Sequence, residues 1–227
     1  MRILIAIHGS HVLAERMQAQ RETWIPQVSR VAMPPSWSLD YRWFVERPYI
    51  ADDVYMLPWD PEPLWFQDGP VARRTSSTNM KTRALVEFAL LKGYDYVFKC
   101  DDDTYVRPRL LIKSGFEKHD YSGSTEMHHA DDTGYYQYAG GGGGYWLSRR
   151  AMVAVFTGNE PHKYRHGACD VTVGQTLAAA GIFPYHNSRY LNAVTDTQIS
   201  RPPSYAITLH KCDPDQMRIV HQALNGQ

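Results

Sequence analysis

Three consecutive aspartates, Asp101, Asp102 and Asp103, directly follow a run of apolar and aromatic residues in "YDYVFKCDDDTYV", residues 94–106. Residues 94–100 are typical of a buried strand, and the chain becomes apolar again directly after the triplet. Carboxylates held this close repel one another unless a cation neutralises them. Oxygen ligands of this kind suit Mg²⁺, Mn²⁺ or Ca²⁺. The triplet therefore predicts a divalent metal site, and a solvated turn at the end of a strand is the alternative.

Short apolar segments alternate with helical patterns in the first half of the chain. Residues 2–7 predict a fully buried strand, and residues 11–24 predict a helix after it. Residues 41–46 and 53–58 predict two further short strands. This alternation predicts an α/β fold with a Rossmann-like, mostly parallel central sheet flanked by helices. Such sheets bind ligands at the carboxyl ends of their strands, which is where the triplet falls.

The stretch before the triplet divides into a loop and a helix. Residues 60–78 carry three prolines and a glycine, which predicts a loop. From Asn79 to Leu91 apolar residues recur at helical spacing, and Gly93 ends the predicted helix.

The second half of the chain is less regular. Residues 119–138 are polar, rich in tyrosine and histidine, and show no clear period. Val173 begins an apolar pattern that predicts a short helix closed by Gly181. Near the end, Asp213 and Gln216 form the pattern of a helix N-cap with its reciprocal partner.

Five consecutive glycines, residues 140–144, form what we call the glycine run. Tyr138 and Tyr145 flank it, and such residues favour burial, so a flexible surface linker is a poor explanation. Glycine between buried segments indicates that another group approaches the backbone closely. That group is either a packed neighbour at a tight corner or a ligand lying against the backbone.

Two single residues are further candidates for chemistry. Asp170 in "ACDVTVG" lies just ahead of a predicted helix, and a helix N-cap alone would explain it. His210 ends the apolar run "YAITLH", which places it at the end of a predicted strand. A strand end is the kind of position at which it could meet the triplet.

Composition excludes some classes of partner and location. The 24 basic and 24 acidic side chains cancel, and the chain has no long basic run, so nucleic acid is not expected as a partner. The apolar stretch after Met1 is too short to span a bilayer and lacks the features of a signal peptide. The three cysteines leave one unpaired, which favours reduced thiols and a cytoplasmic location.

Several motifs occur in one order along almost the whole chain. That order resembles the Fringe-like and β-1,3-galactosyltransferase family of inverting glycosyltransferases, which have the GT-A fold. The triplet and the glycine run are the most specific parts of the resemblance. The motifs are "R-x4-R-x-T-W" (Arg16, Arg21, Thr23, Trp24), "KT" (Lys81, Thr82), "YDYVFKCDDDTYV", "YAGGGGGYWLS", "CDVTVG" and "ITLHK".

The resemblance implies a set of metal ligands. Asp103 and His210 would hold Mn²⁺, which binds the diphosphate of a UDP-sugar donor. Asp101 and Asp102 would bind the nucleotide ribose or water around the metal, and we count Asp101 among the metal ligands as well. One imidazole among oxygen ligands favours Mn²⁺ over Mg²⁺, which is the alternative cofactor.

The resemblance also implies the catalytic base and the donor site. Asp170 falls on the base, which accepts the proton of the incoming hydroxyl. Arg21 and Lys81 are the predicted donor-site cations, and either could instead be a surface residue. Three glycines of the run complete the predicted donor site; they are Gly141, Gly142 and Gly143.

The chain departs from the family pattern at Cys169, which occupies the usual acidic position before the base. Acceptor recognition is therefore expected to differ. The lumenal members of the family carry an anchor and paired cysteines, which are not evident here. We therefore expect a bacterial or viral relative that works in the cytoplasm, and a Golgi-lumenal protein only if the chain has been shortened.

The predicted function is metal-dependent, inverting transfer of a hexosyl unit from a UDP-sugar to the hydroxyl of a saccharide or glycoconjugate. The chain is predicted to be a single GT-A catalytic domain, with a nucleotide-binding half at 1–106 and an acceptor-binding and catalytic half at 107–227. Two alternatives stay open. One is a metal-dependent phosphohydrolase, and the other is a non-catalytic module that binds nucleotide sugars.

Overall fold

The computed structural model describes residues 1–10, 13–45, 51–57, 70–130, 134–158 and 169–225. The strands are β1 (Arg2–His8), β2 (Ser38–Val45), β3 (Val54–Met56), β4 (Tyr96–Asp101), β5 (Thr104–Val106), β6 (Tyr121–Gly123), β7 (Thr125–Ala130), β8 (Gly134–Ala139), β9 (Tyr145–Ser148), β10 (Tyr185–His186), β11 (Tyr190–Leu191) and β12 (Thr208–His210). The helices are α1 (Ala14–Glu22), α2 (Ile25–Val28), α3 (Pro70–Leu91), α4 (Pro108–Ile112), α5 (Arg149–Gly158), α6 (Cys169–Ala179), α7 (Asp196–Ser200) and α8 (Pro214–Asn225).

A seven-stranded sheet, in the order β10-β6-β9-β4-β1-β2-β3, forms the centre of the molecule. β1 runs parallel to β2 and β4, whereas β9 runs antiparallel to both of its neighbours. The predicted mixed α/β arrangement with a mostly parallel sheet is therefore confirmed. Strands from both halves of the chain share this sheet, and the assignment of one half to nucleotide and the other to acceptor stays a prediction.

Both faces of the sheet are covered, as the apolar sequence of β1 requires. Ile3, Ile5 and Ile7 belong to the core cluster on one face, and Leu4 and Ala6 belong to the cluster on the other. A strand buried on both faces has a continuous apolar sequence, as this one does. Its carboxyl end, the buried His8, pairs with Asp101 at the end of β4.

The helix before the triplet is longer than predicted. α3 begins at Pro70, so the predicted loop over 60–78 is wrong for its last nine residues, and the helix start at Asn79 is wrong. Proline fits the first turn of a helix, where its missing N–H has no partner to lose. The proline that indicated a loop in fact begins the helix, and residues 60–69 lie outside the described residues.

Two elements of the second half bring the site together. A small sheet in the order β11-β12-β5 pairs His210 with Thr104, the residue that follows the triplet. The aperiodic segment 119–138 contains β6 and most of the antiparallel β7–β8 hairpin, which contacts α6. Asp213 and Gln216 exchange the two predicted N-cap hydrogen bonds. Among the described residues, no helix combines the length and the apolar character that a membrane span requires.

Candidate active site

The buried side chain of Gln20 holds the backbone of the triplet in place. Its Nε2 donates to the carbonyl oxygens of Asp101, at 3.2 Å, and Thr104, at 3.1 Å. Its Oε1 accepts a hydrogen bond from Trp43 Nε1 at 2.7 Å. With every polar atom of Gln20 engaged, the turn between β4 and β5 is fixed on both sides.

Asp101, Asp103 and His210 meet at the carboxyl ends of β4 and β12, and we call them the Asp–Asp–His cluster. His210 Nε2 lies 3.2 Å from Asp103 Oδ1 and 4.0 Å from Asp101 Oδ2. One ligand atom from each of the three side chains lies within 4.8 Å of the others. The triplet and the distant histidine therefore converge, as the predicted metal site requires.

The orientation of the His210 ring is set by the backbone of Asn192. His210 Nδ1 lies 2.6 Å from the Asn192 carbonyl oxygen, which can only accept a hydrogen bond, so Nδ1 carries the proton. In the neutral ring, Nε2 then presents its lone pair to the two carboxylates. A metal-binding histidine is held in the same way, by a carbonyl on its other nitrogen.

The charges of the cluster fit a divalent cation. Asp103 Oδ1 is buried and faces His210 Nε2 at 3.2 Å. Burial favours a higher pKa for Asp103, but His210 and Arg16 outweigh it and the pKa is lowered. Burial favours a lower pKa for His210, but Asp103, Asn192 and Asp101 together outweigh it and the pKa is raised. Two carboxylates and one imidazole suit Mn²⁺ or Mg²⁺.

Asp102 faces away from the cluster and towards α1. Its side chain is only 8% exposed, and its Oδ1 lies 3.2 Å from the Arg16 guanidinium, which also reaches Asp103 Oδ2 at 3.3 Å. Burial, together with the neighbouring aspartates, raises the pKa of Asp102 to about 7 against the opposing effect of Arg16. Arg16 thus anchors the triplet, and contact of Asp102 with a donor stays a prediction.

The two predicted donor-site cations lie in different surroundings. Arg21 forms a two-pronged ion pair with Asp53, at 2.6 and 3.0 Å, and stacks 4.4 Å over the Trp43 ring. Lys81 is buried in α3 and donates to the Gly9 carbonyl oxygen at 2.7 Å, beside the end of β1. Of the two arginines in the amino-terminal motif, Arg16 is therefore the one that contacts the triplet, and donor binding by Arg21 and Lys81 stays a prediction.

Side chains hold the carbonyl groups of the glycine run. Thr104 Oγ1 donates to Gly142 O at 2.7 Å, and Thr208 Oγ1 donates to Gly143 O at 2.6 Å. The Gly143 N–H donates to Asn192 Oδ1 at 3.0 Å. Although it consists of glycine alone, the run is a fixed turn.

The absence of side chains in the glycine run makes room for protein neighbours. A Cβ atom on Gly142 would overlap the imidazole of His210, and one on Gly143 would overlap Asn192. Gly144 has a φ of +91° and lies against Phe98, so it needs glycine for its backbone as well. The packed-corner explanation is thus observed, and contact of Gly141, Gly142 and Gly143 with a donor stays a prediction.

Asp170 lies in the first turn of α6, one residue inside the helix and not ahead of it as predicted. Its Oδ2 accepts a hydrogen bond from the Gly141 N–H at 2.9 Å, and its Oδ1 accepts one from the Val171 N–H at 2.9 Å. The hydrogen bond from Gly141 connects Asp170 to the glycine run, which a helix cap alone would not do. Each carboxylate oxygen keeps a lone pair for a further donor.

Lys99 and Asn192 belong to the site, although the sequence patterns did not indicate them. Lys99 is fully buried, and its Nζ donates to Asp101 Oδ1 at 2.6 Å. Asn192 binds the His210 ring through its carbonyl group, and its side chain also donates to Glu126 at 2.6 Å. Lys99 looked like one more residue of a strand, and a charged residue inside an apolar strand was the available signal.

Comparisons with known proteins support the fold. No family model matches the chain, and no curated protein matches it. The chain is similar to a solved structure described as a glycosyltransferase involved in the glycosylation of the major capsid of PBCV-1. The TM-score is 0.51 at 12% sequence identity, over 95% of this chain and 98% of that one. The α/β fold is therefore one that a glycosyltransferase also has, and membership of the Fringe-like family stays a prediction.

Proposed function

We propose that this chain is a metal-dependent, inverting glycosyltransferase that moves a hexosyl unit from a UDP-sugar to a hydroxyl of a saccharide or glycoconjugate. One observation carries the proposal. Asp101, Asp103 and His210 come from distant parts of the sequence and present ligand atoms within 4.8 Å of one another. They do so at the carboxyl edge of the sheet, where α/β proteins bind nucleotides.

The Asp–Asp–His cluster would hold the metal, with Asp101 Oδ2, Asp103 Oδ1 and His210 Nε2 as the donor atoms. A divalent cation bound there supplies stabilisation of the negative charge on a departing diphosphate. Asn192 keeps the His210 ring in the required tautomer, and Arg16 holds the neighbouring carboxylates in position. The chain thus positions its ligands before any donor binds, which lowers the cost of reaching the reactive geometry.

Asp170 would act as the general base. Its carboxylate is fixed by the Gly141 N–H, and the amino-terminal end of α6 favours negative charge at this point. An acceptor hydroxyl bound within hydrogen-bond reach of Asp170 would transfer its proton as it attacks the sugar. Attack from the side opposite to the leaving diphosphate inverts the anomeric centre.

Release of UDP tests the proposal directly. Purified protein is supplied with UDP-glucose, UDP-galactose or UDP-N-acetylglucosamine, in Mn²⁺ or in EDTA, with and without a mixture of oligosaccharide acceptors. The proposal predicts UDP release that needs Mn²⁺ and increases with acceptor for at least one donor. Asp170→Asn serves as the matched variant and should abolish release while it still binds UDP.

The same assay separates the alternatives. A phosphohydrolase would cleave the diphosphate of the donor with water, would release UMP and sugar 1-phosphate in place of UDP, and would not respond to acceptor. A binding module would show a thermal shift with UDP and Mn²⁺ but release no UDP from any donor. Either result would contradict the proposed transfer reaction.

A further inference from the structure

Lys99 holds a position that the proposed reaction does not use directly. Its side chain is 1% exposed, and its Nζ donates to Asp101 Oδ1 at 2.6 Å and to Gly141 O at 3.1 Å. The ammonium group also lies 5.8 Å from the centroid of the Tyr145 ring. Lys99 is therefore surrounded by protein groups and is not placed to contact a substrate.

The contacts of Lys99 form part of a series of hydrogen bonds that joins the carboxylates of Asp101 and Asp170. Gly141 accepts a hydrogen bond from Lys99 through its carbonyl oxygen and donates one to Asp170 Oδ2, at 2.9 Å, through its N–H. A Cβ on Gly141 would lie only 3.0 Å from Lys99 Nζ and 3.2 Å from Asp170 Cβ, so the three residues are closely packed. Two residues, Lys99 and Gly141, thus connect Asp101 to Asp170.

The charge of Lys99 suits this position. Its ammonium group pairs with the Asp101 carboxylate at 2.6 Å. A cation between two carboxylates offsets their mutual repulsion. Because the ammonium occupies Asp101 Oδ1, the other oxygen, Oδ2, is the one that faces His210 Nε2 at 4.0 Å.

We propose that Lys99 is a positioning residue: through Gly141 it fixes the spacing between the Asp–Asp–His cluster and Asp170. This inference rests on the proposed function, because it assigns Lys99 a role in the same transfer reaction. The ammonium group also competes with a metal for Asp101. Its removal should therefore affect metal binding and turnover in opposite directions.

Two readouts test this role. Mn²⁺ binding is followed by electron paramagnetic resonance of the free ion, and UDP release is measured at saturating Mn²⁺ and donor. The variants are Lys99→Met, which keeps the length of the side chain, Lys99→Arg, which keeps its charge, and Gly141→Ala, which inserts a methyl group between Lys99 and Asp170. Arg107→Met is the control, because Arg107 donates to the carbonyl groups of Pro203, Ser204 and Ala206, away from Asp170.

Lys99→Met should bind Mn²⁺ at least as tightly as the wild type, while its kcat falls about 100-fold, as expected for a misplaced catalytic group, and its donor KM changes far less. Lys99→Arg should retain more kcat than Lys99→Met. Gly141→Ala should lose kcat without losing Mn²⁺ affinity, which keeps the test valid if Lys99→Met does not fold. Arg107→Met should lower Tm and leave kcat unchanged.

The inference is overturned if the folded Lys99→Met variant keeps the wild-type kcat, or if Mn²⁺ affinity and kcat fall together in Lys99→Met and in Gly141→Ala. A wild-type protein that binds no Mn²⁺ or releases no UDP would instead overturn the proposed function, and this inference with it. The binding measurement on the wild type therefore distinguishes the two failures.

Discussion

The Asp–Asp–His cluster and the glycine run lie side by side but differ in how their polar groups are satisfied. In the cluster, two carboxylates face one imidazole, and the buried Asp103 Oδ1 lies 3.2 Å from His210 Nε2. In the glycine run, three carbonyl groups accept hydrogen bonds from buried side chains. The difference indicates that the cluster is arranged for a cationic ligand, whereas the protein alone holds the glycine run in shape.

Asp170→Asn should cause the largest effect, because it removes the proposed general base next to the glycine run. The amide can still accept the Gly141 N–H bond, but it cannot take a proton. We expect kcat for UDP release with acceptor to fall about 1000-fold. Mn²⁺ affinity, measured in the same preparation, should stay the same, and an equal loss of both would make Asp170 a structural residue.

His210→Ala should weaken metal binding by the Asp–Asp–His cluster. Loss of one of three ligand side chains should reduce Mn²⁺ affinity about 100-fold, and a high Mn²⁺ concentration should restore part of the activity. The matched control is His186→Ala, which removes an exposed imidazole that is bound to Thr125 at the same edge of the sheet. Unchanged metal dependence in His210→Ala would remove this histidine from the site.

Gly142→Ala tests the contact between the glycine run and the Asp–Asp–His cluster. The added methyl group would overlap the His210 ring, so the ring must turn or the glycine run must shift. We expect about tenfold weaker Mn²⁺ binding and a loss of roughly 1–3 kcal/mol in the free energy of unfolding. Urea denaturation and metal titration measure the two quantities. A variant with wild-type metal affinity would show that His210 does not depend on the glycine run.

The smallest expected effect concerns His8, which ends β1 3.9 Å from Asp101. Burial, aided by the charges of Lys99 and Lys81, lowers the pKa of His8 well below its usual value. Below about pH 6.5 the unfolded chain therefore binds a proton that the folded chain does not, and the fold loses stability as the pH falls.

The loss should not exceed about 1.4 kcal/mol per pH unit, and His8→Gln should reduce the slope. Urea denaturation of the metal-free protein between pH 7 and pH 5.5 checks this expectation. His210 should change the stability in the opposite direction. Its pKa is raised, so the stability that it contributes is lost as the pH rises through its folded-state pKa. Equal slopes in the wild type and His8→Gln would show that His8 is not buried as a neutral ring.

Sequence patterns predicted the parts of the site that lie at element boundaries. The apolar strand before Asp101, the end of a strand at His210 and the glycine run each have a local signal, because strand ends and glycine have strong sequence preferences. The convergence of Asp103 and His210 depends on the pairing of β12 with β5. That pairing is non-local: the position of His210 at a strand end made the contact possible, and the family resemblance assigned it.

The rest of the site depends on contacts that local patterns do not contain. Arg16 and Arg21 are five residues apart on α1, so they point in different directions, and only the fold shows that Arg16 faces the triplet. The role of Asn192 depends mainly on its backbone carbonyl, which any residue would supply. The early start of α3 at Pro70 was missed because proline favours both loops and first helical turns.

A crystal structure with Mn²⁺ and UDP, with anomalous diffraction recorded at the manganese edge, tests the central claim most directly. The account predicts one strong anomalous peak bound by Asp103, His210 through Nε2 and the diphosphate of UDP, with Asp101 in its coordination sphere. A peak elsewhere, or a His210 ring turned so that Nε2 faces the Asn192 carbonyl group, would contradict it.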